Sequence, residues 1–178
     1  MHTPYRALLT CILLAIGRPA VSETLVTFSH PEHFTDAALN GGSGPAAIQP
    51  TLSALAEYLR TIGATRLGPR QTLVVEVTNI DLAGDVEPWR APADDVRIMR
   101  PIYPPRIALR FKLEENGRTV TDGEDRLVDL DYLANPEVLL QQGPLRYEKA
   151  MLMSWFRSRI VRLQANVPVQ PPNSFATR

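Results

Sequence analysis

The chain has 178 residues, with 19 Lys and Arg against 19 Asp and Glu, 44% hydrophobic residues and one cysteine. So even a balance excludes the basic excess that general nucleic-acid binders and anionic-membrane binders carry. The length suits one domain with a proper core and not comfortably two.

The first residues read as a secretory signal peptide, predicted to span 1–22. Arg6 supplies the positive start, Ala7 to Gly17 is an apolar run of fitting length, and Ala20-Val21-Ser22 offers small residues ahead of a cleavage before Glu23. Arg18-Pro19 ends the run too early for a membrane span, and no later segment is apolar enough to cross a bilayer. Cys11 lies inside the apolar run, so the mature chain is expected to have no disulfide, thiolate nucleophile or thiolate metal site. Loss of residues 1–22 removes Arg6 and Arg18 and no acids, leaving 17 basic residues against 19 acidic. An exported, cysteine-free chain suits the periplasm, which is the expected location.

Leu25 to Phe28 is a short β-prone run ended by Ser29-His30-Pro31. Asn40 to Pro45 is a flexible loop by composition. Leu52, Leu55, Leu59 and Ile62 then fall on one helical stripe, with Pro50 expected in the first turn and Gly63 at the C-terminal cap. Thr72 to Leu82 alternates as a strand with one buried face, and Ile107 to Glu114 does so most cleanly of all. Asn116-Gly117 supplies a type I′ hairpin turn, so Arg118 to Thr121 should return antiparallel. Asp122-Gly123 suggests a bulge or break, with the strand resuming at Arg126 to Leu130. Leu145 to about Leu163 reads as a second helix, its apolar stripe formed by Leu145, Leu152, Phe156 and Leu163. The proline-rich end, 167–178, reads as a disordered tail. The prediction is a single α+β domain over 23–166: an antiparallel or mixed sheet of about four to five strands, with two helices on one face, in the order β-α-β-long loop-β-β-α.

The long loop, 81–106, is the main candidate site. Between Ile80 and Arg106 the chain holds five prolines, five acids, four arginines, a Trp and a Tyr, where a connection of about 4–6 residues is usual. Asp81, Asp85, Glu87, Trp89 and Arg90 form its first part; Asp94, Asp95, Arg97, Arg100 and Tyr103 form its second. Paired carboxylates could divide acid and base roles or hold a hard cation, and the aromatic rings could stack on a sugar or peptide. Against this, arginine makes bidentate carboxylate pairs well, so the same residues can simply knit the loop together. No Asp-x-Asp-x-Asp-Gly spacing supports calcium.

Other constellations are weaker. His30 and His33 flank Glu32, but no third zinc ligand is indicated, and an exposed turn is the simpler reading. Ser53, Ser154 and Ser158 fall on predicted helices, no Gly-x-Ser-x-Gly elbow exists, and Gly41-Gly42-Ser43-Gly44 lacks the lysine and spacing of a phosphate loop. Arg146, Lys149 and Arg157 could form a recognition face, though solvated helix charges explain them as well. No catalytic set, metal site or cofactor motif is assigned.

Four blocks carry a resemblance: VTFSHPEHFTD (26–36), DLAGDVEPW (81–89), DDVRIMRPIYPPRIALRF (94–111) and PLRYEKAMLMSWF (144–156). In this order they resemble the bacterial domain-of-unknown-function family 3016, small exported proteins of proteobacteria. The positions that match its pattern are Asp81, Gly84, Glu87, Pro88, Trp89, Asp95, Arg97, Arg100, Tyr103, Pro104, Pro105, Arg146, Tyr147, Glu148 and Trp155. The family has no established activity, so the resemblance implies no catalytic residue, and it does not require histidine at positions 30 and 33. The element order is also similar to small envelope accessory domains, an analogy of fold that fixes no function.

The expectation is a non-enzymatic periplasmic domain that binds an unknown envelope component or partner protein. Its candidate surface is Asp81, Asp85, Glu87, Trp89, Arg90, Asp95, Arg97, Arg100 and Tyr103. The alternative is a hydrolase of envelope glycan or peptide, with Asp85 or Glu87 and Asp94 or Asp95 as its acid/base pair.

Overall fold

A computed structural model of the chain describes residues 21–87 and 96–162. Trp89, Arg90, Asp94 and Asp95 lie outside the described residues, as do Leu163, the tail and most of the leader. The main sheet has four strands in the order β1 (Glu23–Phe28), β2 (Gln71–Asp81), β5 (Arg106–Glu115) and β6 (Arg118–Val128). β1 runs parallel to β2, and the other neighbours are antiparallel, so the sheet is mixed. Two helices complete the α+β domain, α1 (Pro45–Arg66) and α2 (Arg146–Trp155).

Period-2 alternation sends Leu73, Val75 and Val77 of β2, and Leu109, Phe111 and Leu113 of β5, to one face. There they meet Leu52, Leu55, Leu59 and Ile62 of α1 and Leu152 and Trp155 of α2 in one buried core. Each such aliphatic side chain, fully buried, contributes about 1.5–3 kcal/mol. The other face of the sheet is polar: the partners Glu76, Arg110 and Glu124 link three strands at 3.5 and 3.4 Å. These pairs are exposed, worth at most about 1 kcal/mol each. The hairpin turn is as the sequence indicates, with φ of 52° at Asn116 and 75° at Gly117.

Four local expectations are corrected. α1 begins at Pro45, because Ala46 and Ala47 extend the helix backwards, and Pro50 lies inside it. Gly63 is also internal, since a Cβ there would collide with the Thr24 side chain of β1; the glycine lets strand and helix approach. β6 runs unbroken through Asp122-Gly123, and the register shift falls instead between Leu113 and Glu114 of β5. Finally, α2 stops at Trp155 and widens into a π-helix over Phe156–Val161, keeping Phe156 and Ile160 in the core.

The long loop has structure of its own. β3 (Asp85–Val86) and β4 (Arg97–Ile98) pair antiparallel as a small second ribbon, which brings the described ends of the loop side by side.

Candidate functional site

β2 ends in a turn at Ala83-Gly84 that is held by three separate bonds. The Ala83 N–H donates to Glu148 Oε1 of α2 at 2.7 Å, the Gly84 N–H donates to the Tyr103 carbonyl at 3.0 Å, and the Gly84 carbonyl accepts from Arg97 Nη1 at 2.9 Å. Gly84 has φ 75°, and a Cβ there would stand 2.7 Å from both the Ile98 carbonyl oxygen and Met99 Sδ. Only glycine fits that conformation in that space.

Arg97 is the centre of the arrangement, its side chain 8% exposed. Nη1 and Nη2 fork onto the two carboxylate oxygens of Asp36 at 2.7 and 3.1 Å. Nη1 also reaches Gly84, Nη2 donates to the Ala38 carbonyl at 2.6 Å, and Nε donates to the Leu39 carbonyl at 3.3 Å. A guanidinium has five N–H donors, and all five are used. Arg97 therefore fastens the 36–39 segment to the turn and has no donor left for a ligand.

The second support is Glu87, whose side chain is 1% exposed. It accepts from Arg100 Nη2 at 2.9 Å and lies 3.4 Å from the Tyr103 hydroxyl. The backbone of Arg100 is pinned in turn, its carbonyl accepting from the buried Tyr132 hydroxyl at 2.8 Å. Burial raises the Tyr132 pKa.

Where the loop, the end of β2 and the 35–42 segment meet, they enclose a polar cleft of about 650 Å³. Asp81, Asp85, Arg97 and Tyr103 of the candidate surface line it, joined by Asp36, Asn40, Ile102 and Arg106. Asp81 is engaged by Arg106, its partner across the β2–β5 ladder, at 2.9 Å. Asp85 differs from these: among the described residues it makes no ion pair or side-chain hydrogen bond. Ile102 is 69% exposed at the rim. Glu87 and Arg100 stand behind the lining as supports.

Sequence reasoning missed Asp36, Tyr132 and Glu148 as partners of the loop, and did not single out Arg106 at its end. Glu148 is the most deceptive, since it sits in the charged run Arg146-Tyr147-Glu148-Lys149 yet is buried. Burial raises its pKa; the Ala83 N–H and the Arg97 charge oppose the rise, and Asp36 adds to it. Its Oε2 has no hydrogen-bond partner among the described residues. The neighbouring cations are engaged within the protein. Arg146 lies over the Tyr147 ring at 4.9 Å and donates to its hydroxyl, Lys149 donates to the Gln142 carbonyl, and Arg157 pairs with Glu137.

A second groove, about 630 Å³, runs between β6 and α2, with Leu127, Met151 and Trp155 on its walls. Several of its polar side chains are paired: Asp125 accepts from Trp155 Nε1 at 2.9 Å and pairs with Arg159 at 3.3 Å, while Asp129 accepts from Asn135 at 2.6 Å. His30 and His33 are exposed on a 3-10 turn, each beside Glu32. The Glu32 pKa is lowered, first by a backbone hydrogen bond. Among the described residues no group of three His, Cys, Asp or Glu side chains could hold a metal ion. None of the described helices is long and apolar enough to cross a membrane.

No curated protein matches this chain. The family described as "protein of unknown function (DUF3016)" matches it over residues 22–158. That span covers the sheet, both helices and every element lining the cleft, and the chain belongs to this family.

Proposed function

We propose that the chain is exported to the periplasm and acts there as a non-enzymatic binding domain, its polar cleft receiving an envelope component or partner protein. The observation that supports this reading is the division of labour among the carboxylates. Asp36, Asp81 and Glu87 are each held by an arginine, whereas Asp85 lines the cleft without one among the described residues. An acid/base mechanism needs two carboxyl groups free to exchange protons across a substrate. Of the acids assigned to the hydrolase alternative, Glu87 is held by Arg100 and Asp94 and Asp95 lie outside the described residues. A lone carboxylate beside Tyr103, with an apolar rim at Ile102, suits recognition of a cationic or hydrogen-bond-donating group.

The test is a pair of variants, Asp85→Asn and Ile102→Asp, in tagged protein captured from envelope extracts. Both should retain the wild-type melting temperature and lose the co-purifying component. Unchanged capture by both variants would remove the cleft from the binding surface. Loss of hydrolysis of an envelope glycan or peptide by Asp85→Asn would favour the enzyme.

A further inference from the structure

Among the described residues no strand pairs with the outer side of β1 or β6, and these two edges of the sheet are built differently. β6 carries Asp122, Glu124, Asp125 and Arg126 along its length, the kind of charge that discourages edge-to-edge pairing. β1 has no charge, proline or bulge between Thr24 and Phe28. Its hydrogen-bonding direction follows from one bond: the Ser29 N–H donates to the Val77 carbonyl of β2 at 2.9 Å. Alternation then turns the N–H and C=O groups of Thr27 and Leu25 toward β2 and those of Thr24, Val26 and Phe28 toward the open edge. On the polar face of the sheet Leu25 stands 44% exposed.

We infer that β1 is a self-association edge, its partner being a second copy of this chain paired antiparallel across a two-fold axis at Val26. In that register Val26 meets its own copy, Thr24 meets Phe28 and Leu25 meets Thr27. Each outward N–H and C=O from 24 to 28 finds its counterpart, because a strand pairing antiparallel with itself about one residue is complementary by symmetry. The two four-stranded sheets become one of eight strands, and each Leu25 gains a cross-strand neighbour. A copy shifted by one residue would bring side chains of opposite faces together, which the buried Thr24 and exposed Leu25 forbid. Uncharged residues from Thr24 to Phe28 also leave no like charges opposed.

Leu25 and Thr27 are both exposed, so their substitution leaves the core untouched. The experiment is sedimentation velocity on protein purified from cells expressing the full chain, over a range of concentrations. Wild type is expected to be dimeric, and L25K/T27K, which opposes like charges across the pair, to be monomeric with an unchanged circular dichroism spectrum. L25E/T27K places opposite charges there and should restore the dimer. Amide exchange should slow at Thr24, Val26 and Phe28 as wild-type concentration rises. Wild type that stays monomeric at roughly 100 μM, beyond the range of specific micromolar association, overturns the inference. So does a dimer that survives L25K/T27K, or failure of L25E/T27K to recover it.

Discussion

Arg97 and Glu148 are both charged side chains withdrawn from water, and they grip adjacent residues of one turn, yet their situations are opposite. Arg97 spends five donors on five acceptors and has a carboxylate partner. Glu148 satisfies one oxygen on Ala83 and has no partner for the other among the described residues, and burial raises its pKa. The first behaves as a rivet, saturated and fixed in charge. The second holds the same turn with a group whose charge state is costly and therefore sensitive to pH. The lesson is that stiffness at the mouth of the cleft comes from saturation of polar groups, and not from the number of charges present.

The largest expected effect is at the rivet. Arg97→Ala strips Asp36 of its partner and leaves three carbonyls and a carboxylate unmet, so it should cost about 3–5 kcal/mol, read as a lower melting temperature. Arg97→Lys should recover only part, because an ammonium cannot make the bidentate fork. If Arg97→Ala proves near neutral, the contrast with Glu148 collapses. Next in size is Gly84→Ala, where positive φ and contact with the Ile98 carbonyl should cost about 1–3 kcal/mol, measured by denaturant titration.

Glu148→Gln sharpens the other half of the comparison. The amide oxygen can keep the Ala83 N–H without a titrating charge. Because burial raises the folded-state pKa above the unfolded one, the contribution of Glu148 is fully present below the unfolded value and is lost as pH rises through the folded value. Melting curves across pH should therefore show wild type losing stability relative to Glu148→Gln as pH climbs above the ordinary glutamate range. A constant gap between the two proteins would mean that the carboxyl is not strained. The smallest stability effect is at Asp85→Asn, expected within about 0.5 kcal/mol, because nothing among the described residues leans on that carboxylate.

The fold was legible where periodicity carries the signal. Alternation placed β2 and β5, the 3-4-3 spacing placed the face of α1, and Asn116-Gly117 placed the hairpin turn. Boundaries failed where a tertiary contact overruled a local preference. Gly63 looked like a cap and is a packing gap for Thr24; Gly123 looked like a break and leaves room for the Phe111 ring and Arg159. The loop stood out by composition, but its wiring could not be read. Asp36 and Arg97 are far apart in sequence, and Glu148 sits in a run of charges whose helical face only the packed structure assigns. Of the described carboxylates in the loop, no local pattern separated Asp85, which has no partner among the described residues, from Asp81 and Glu87, which do.

In the proposed function a saturated framework presents Asp85 and Ile102 to a partner. This is tested most directly by a photocrosslinking residue at position 102 in intact cells, with position 112 on the polar sheet face as control. One defined adduct is expected from 102, lost when Asp85→Asn is added, and none from 112. Equal labelling from both positions, or an adduct from 102 indifferent to Asp85→Asn, would contradict the proposed function.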